Sequence, residues 1–223
     1  MVMLLDIIMC LMPFTTIFFD LDDTLYPASS GLWSAIRERI NRYMHERLHI
    51  PWHEVPALRE RLYRAYGTTL RGLEAHYPVD KLDYLAYVHD VPIEDYIKPN
   101  PIQRAVISAL PTRKWILTNA DSAHARRVLS VLQLEDCFDG IVDVVAVHPY
   151  CKPQPEAFRI ALKKAGELDA QKCALIDDLR HTTHAARQFG FYSILYGDGA
   201  AGTDADAAFT DWRDLPRLLS LED

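Results

Sequence analysis

Cysteine is scarce and scattered: Cys10, Cys137, Cys151 and Cys173 form no C-x-x-C pair in 223 residues. That argues against a disulfide framework and a thiolate zinc site, and fits a reducing cytoplasm. Positive charge is in deficit as well, with 24 Lys and Arg against 31 Asp and Glu and a formal net charge of −7. A chain with that balance has little basic surface to offer a nucleic-acid polymer. Long apolar runs are missing. The leading MVMLLDIIMCLM is too short to cross a bilayer, carries Asp6, and lacks both a basic flank and a small-residue cleavage site. No membrane partner is expected, and residues 1–13 read as an extension to the fold, with Met12-Pro13-Phe14 a natural start of its own. Internal repeats and low-complexity tracts are absent.

What is there is an ordinary globular composition, 49% hydrophobic and 25% charged, and enough chain for a core domain with a modest insertion. Thr15 to Phe19 is β-branched and aromatic, fit for a buried strand. From Ser29 the rhythm turns helical, with Leu32, Ile36, Ile40, Met44 and Leu48 on one face. Leu58, Leu62, Ala65 and Tyr66 suggest a second helix, Gly67 and Gly72 bracket a break, and a further helix is expected near Asp80 to His89. Lys98-Pro99-Asn100-Pro101 reads as a linker. Beyond it strands and helices alternate. Strands are expected at 114–118, 141–147, 173–176 and 192–196, and helices after Asp121, from Pro153 and Pro155, and over 182–189. Residues 197–208 read as loop. The expected fold is therefore α/β: a Rossmann-like parallel sheet core with helices on both faces, and an all-helical cap inserted after the first strand. The core would take residues 14–26 and 100–223, and the cap residues 27–99.

In such sheets ligands bind beyond the carboxyl ends of the strands. Four of those ends are polar here: Asp20-Leu21-Asp22-Asp23-Thr24, then Leu117-Thr118-Asn119, then Cys151-Lys152-Pro153, then Asp177-Asp178. A lone strand-end Asp is most often a turn or cap residue, and Asp23 is read that way. Four polar ends in sequence suit phosphoryl chemistry. Asp20 and Asp177 could share a small space only beside a cation, and Mg²⁺ prefers hard oxygen ligands. Lys152 adds an ammonium, Thr118 a hydroxyl and Asn119 a backbone N–H for phosphate oxygens. The partner expected is a small-molecule phosphate ester.

In order and over nearly the whole chain, these segments resemble the motifs of the haloacid dehalogenase superfamily. The resemblance implies Asp20 as nucleophile, forming an aspartyl phosphate, and Asp22 as general acid and then base. It implies Mg²⁺ held by Asp20, the main-chain carbonyl of Asp22, Asp177 and, through water, Asp178. Thr118 and Lys152 would complete the catalytic set. Asp22 favours phosphate esters, because the carbon-attacking dehalogenase branch lacks this second Asp.

The segment Tyr66-Gly67-Thr68-Thr69-Leu70-Arg71-Gly72-Leu73, with Leu117-Thr118-Asn119-Ala120, His124-Ala125 and Phe138-Asp139-Gly140-Ile141, is similar to the pyrimidine 5′-nucleotidase branch. That implies a nucleoside 5′-monophosphate as substrate, with Asn119 on the phosphate and Arg71 or Tyr66 meeting base or sugar. The chain departs from the family pattern after Asp178, where Leu179 and Thr182 replace the usual Ser and Asn. A phosphosugar mutase, or a weakened module that binds phosphate esters without turnover, would use the same motifs.

Overall fold

The computed structural model describes residues 13–197, 202 and 204–220. Most of the N-terminal stretch read as an extension, and part of the 197–208 segment, therefore lie outside the described residues.

The first strand, β1 (Thr16–Phe19), is buried along its whole length. Its alternation sorts the core: Ile17 and Phe19 join one apolar cluster and Phe18 the other, the period of two that a strand imposes. β1 pairs in parallel with β2 (Arg113–Leu117) on one side and β4 (Cys173–Asp177) on the other. β3 (Gly140–Val142), β5 (Tyr192–Tyr196) and β6 (Ala207–Phe209) complete a parallel sheet of order β3-β2-β1-β4-β5-β6. The chain moves outward from β1 to β3 and returns to β4 on the far side of β1. The order thus reverses beside β1, which opens a crevice beyond the strand ends there.

Between β1 and β2 come α1 (Leu32–Glu46), α2 (Val55–Tyr66), α3 (Thr69–His76), α4 (Lys81–Val88) and α5 (Pro101–Ala109). Ile36, Ile40 and Met44 on α1 and Leu58 and Leu62 on α2 are buried at the spacing expected of amphipathic helices. On the core, α6 (Ser122–Leu132) buries Ala125, Val128, Leu129 and Leu132 in the same cluster as Ile17. On the opposite face α7 (Pro155–Lys164) and α8 (Arg180–Phe189) place Phe158 and Ala186 with Phe18. A short α9 (Leu215–Ser220) ends the described chain.

Four local expectations change. Gly72 breaks nothing: it lies inside α3, and a Cβ there would come within 2.6 Å of Leu62 Cβ, so its role is to let α3 close on α2. Gly67 does end α2, at φ +83°. The Asn100-Pro101 pair proves to be a helix start rather than a bare linker, since Asn100 accepts from the N–H groups of Ile102 and Gln103 and Pro101 opens α5. The third strand stops at Val142 because the Asp143 carboxylate captures Ser122 N–H and Ala146 N–H and turns the chain. Finally, Ala207–Phe209 pairs with β5 instead of remaining loop.

Candidate active site

The ends of β1, β2 and β4 and the segment after β3 meet at the reversal point. Lys152 Nζ lies 2.6 Å from Asp20 Oδ1 and 2.6 Å from Asp177 Oδ2, with all three side chains buried. Thr24 donates to the other Asp20 oxygen at 3.0 Å, and Leu179 N–H donates to Asp177 Oδ1 at 2.9 Å. Both carboxylates are therefore fixed at both oxygens.

Asp178 stands beside them. Among the described residues, Asp20, Asp177 and Asp178 form a group whose ligand oxygens lie within 4.8 Å of one another. Three carboxylates against one ammonium leave the pocket short of positive charge. Burial, with Asp177 adding to it against the pull of Lys152, pushes Asp20 up to about 7. Burial and the repulsion of Asp20 and Asp177 push Asp178 up to about 8. An all-oxygen donor set of this kind fits a hard divalent cation, which would offset the repulsion among the three carboxylates.

Asp22 is outside that group. Its Oδ1 accepts from Tyr26 Oη at 2.6 Å and lies 2.9 Å from His124 Nε2. Burial pushes its carboxyl up, but the His124 ring and the hydrogen bonds from His124 and Tyr26 outweigh burial and leave it below the usual carboxylate range. The chain between the two acids turns sharply: Leu25 N–H closes on Leu21 O, and Asp23 adopts φ 60°. Asp20 and Asp22 therefore answer to different neighbours although one residue separates them.

Lys152 is held by a reciprocal pair. Asn119 Nδ2 donates to Lys152 O at 3.0 Å, and Lys152 N–H donates to Asn119 Oδ1 at 2.9 Å. The Asn119 side chain is thus spent on Lys152, while Thr118 turns the chain by accepting Ala120 N–H at 3.0 Å. Both residues line a cleft of about 340 Å³ that also reaches Asp20, Asp22 and Lys152.

Arg71 and Tyr66, expected at the base or sugar, are engaged with protein groups here. The Arg71 guanidinium is buried and donates to Val144 O at 2.6 Å, Tyr150 O at 2.9 Å and Glu74 Oε2 at 2.7 Å. Its planar fork clasps α3 to the segment that carries Lys152. Tyr66 bonds its hydroxyl to His76 Nε2 at 2.7 Å, and its carbonyl accepts from Cys151 Sγ. Neither residue lines the cleft; Trp33, Ile36, Arg37, Arg59, Tyr63 and Tyr84 do. The sequence reading missed Tyr26 and His89 as neighbours of Asp22 and Asp121 as the partner of His89, and it noted His124 without a role. Only the i, i+4 spacing of Asp22 and Tyr26 was there to be found.

Comparisons with known proteins give the chain a family and its fold further relatives. A family model for haloacid dehalogenase-like hydrolases matches residues 14–190. Phosphate metabolism protein 8 of Saccharomyces cerevisiae is 28% identical over 193 residues, which cover 80% of this chain and 60% of the yeast protein. The chain thus spans about 60% of that relative's length. The HAD-hydrolase YfnB from Bacillus subtilis, solved with magnesium, superposes with a TM-score of 0.62 at 17% identity, over 92% of this chain and 98% of that one. L-2-haloacid dehalogenase from Xanthobacter autotrophicus, solved with chloropropionic acid covalently bound, gives 0.61 at 16% identity, over 92% and 98%. At these identities the two structures speak for the fold alone.

Proposed function

From the fact that this chain belongs to the haloacid dehalogenase-like hydrolases, we propose that it is a Mg²⁺-dependent phosphomonoesterase working through an aspartyl phosphate. The fold is as close to a carbon-attacking dehalogenase as to a magnesium-bound hydrolase, so the fold does not choose between them. The observation that carries the reading is Asp22, a second carboxylate that lines the same cleft as Asp20 yet is held apart from the cation group. A metal-free attack on carbon has no use for it.

In this reading Asp22, ionised in the resting site, takes up a proton as the ester's negative charge enters the cleft; Asp20 attacks phosphorus with one carboxylate oxygen, and the bond to the leaving oxygen breaks as Asp22 delivers that proton to it. Asp22 then takes a proton from water, which attacks the aspartyl phosphate and frees inorganic phosphate and Asp20. Lys152 neutralises charge on the nucleophile and on the phosphoryl group, and Thr118 and the Asn119 N–H meet phosphate oxygens. Asp20, Asp177, Asp178 and the Asp22 main-chain carbonyl would hold Mg²⁺, which when bound screens the repulsion between carboxylate and phosphate.

Residues 27–99 act as a cap over a core of residues 14–26 and 100–223, excluding water and setting substrate choice. The substrate class is a nucleoside 5′-monophosphate, pyrimidine in particular. The aromatic and apolar wall of Trp33, Ile36, Tyr63 and Tyr84 supports that, since it suits a flat base and a sugar. The enzyme works in the cytoplasm on a free metabolite. The test is phosphate release from nucleoside monophosphates, sugar phosphates and phospho-amino acids, with and without Mg²⁺. Nucleoside monophosphates should lead, and Asp20→Asn and chelation should each abolish release. Full activity in excess EDTA sinks the proposal, and isomerised ester without net phosphate makes the protein a mutase.

A further inference from the structure

A general acid must aim its proton, and the Asp22 side chain could rotate away from the leaving oxygen if nothing held it. Two groups meet its Oδ1 and none of the described residues donates to Oδ2. Tyr26 comes from the same turn. His124 comes from α6, and its side chain is fully buried.

The surroundings of His124 look built to hold that ring. It stacks on His89, with centroids 4.2 Å apart and planes 18° from parallel. His89 Nδ1 lies 2.6 Å from Asp121 Oδ2, while Asp121 Oδ1 caps α6 by accepting Ala123 N–H and His124 N–H. Arg127 donates to His89 O at 2.8 Å and to Val91 O at 2.6 Å, which pins the other end of the stack. His124 Nδ1, in contrast, is buried with no partner. An apolar side chain would fill this space without leaving a ring nitrogen unsatisfied. The return on that cost is the contact between Nε2 and Asp22.

Resting on the phosphatase reading, we propose that His124 is a positioning residue: with Tyr26 it clamps Asp22 Oδ1, so that Oδ2 is the oxygen that carries the proton to the leaving group. His124 does not touch substrate and acts only through Asp22.

Leaving-group dependence separates this role from a general structural one. A nucleoside 5′-monophosphate expels an alkoxide that needs a proton. p-Nitrophenyl phosphate expels a phenolate that does not. kcat/KM reports formation of the aspartyl phosphate, the step in which Asp22 acts as acid. With saturating Mg²⁺, His124→Leu should lose on the order of 10²-fold in kcat/KM on the nucleotide and only about threefold on the aryl ester. His124→Gln, whose amide nitrogen reaches about as far as Nε2, should recover most of the loss. Tyr26→Phe should show the same selectivity, and it carries the test if His124→Leu does not fold. Equal losses on the two esters, or a Gln variant as poor as Leu, overturns the role of His124 and leaves the phosphatase standing. A wild-type protein that hydrolyses neither ester takes down the phosphatase reading, and this inference with it.

Discussion

Lys152 is the place to test the electrostatics of the site. Its ammonium lies 2.6 Å from each of two buried carboxylates, and Lys152→Met keeps most of the side-chain volume while removing the charge. At an effective dielectric of about 20, each contact represents roughly 6 kcal/mol of attraction before desolvation. The variant no longer buries an ammonium, so the net loss is smaller, about 3–5 kcal/mol as for other buried pairs stripped of one partner. For a chain of this size that lowers Tm by roughly 6–20 °C. The loss depends on pH with a definite sign. Asp20 already stands at about 7, and without the ammonium it rises further. A carboxyl raised in the folded state contributes stability that is complete below its unfolded pKa and is lost as pH rises through the folded value. In EDTA at about pH 5.5 Asp20 is protonated with or without the ammonium and the deficit is at its smallest; above about pH 7 only the variant keeps that proton, so the deficit grows and is larger at about pH 8. Thermal unfolding followed by circular dichroism at the two pH values measures it. Turnover should fall by about 10²–10³-fold, as when other preorganised charge stabilisers are removed. An unchanged Tm at the higher pH would mean that Lys152 does not separate two ionised carboxylates, and the charge account of this pocket would be wrong.

The same sign governs metal binding: with Asp20 at about 7 and Asp178 at about 8, Mg²⁺ must displace protons, so the Tm gain from saturating Mg²⁺ should grow as pH rises from about 6 to about 8. A pH-independent gain would place the cation elsewhere. Gly72→Ala should destabilise by about 1–3 kcal/mol through overpacking, because the new Cβ meets Leu62; denaturant unfolding reads it, and Leu62→Ala in the same chain should recover part of the loss. Arg71→Leu should cost about 1–3 kcal/mol in stability by leaving the Val144 and Tyr150 carbonyls unpaired, with the loss in turnover the same for every substrate. A change in substrate preference without a change in Tm would return Arg71 to the cleft.

The sheet was legible because its signals are local and repeated. Buried parallel strands show as short apolar runs, and the four polar ends mark where those runs leave the core. What was not legible follows from the same logic. Asn100-Pro101 carries two meanings, linker and helix start, and only the buried face of α5 decides between them. Ala207–Phe209 is too short and plain to announce a strand; β5 makes it one by offering an unpaired edge. Gly72 looks like a breaker until Leu62 lies across it.

The site divides along the same line. Asp20, Lys152 and Asp177 could be read because the acids crowd at strand ends and need a counter-charge. The surroundings of Arg71 and Tyr66 were not legible, because a guanidinium or a phenol in the helical segment is equally at home on a ligand or on a protein group. Three-dimensional neighbours alone, here Val144, Tyr150 and His76, make that choice. Asp22 shows the limit most sharply. Its identity and its spacing from Asp20 are local, but His124 lies 102 positions along the chain and the His89–Asp121 pair that braces His124 joins residues 32 apart. A sequence declares which groups can react more readily than it declares what aims them, since aim is supplied by side chains whose only common property is where the fold puts them.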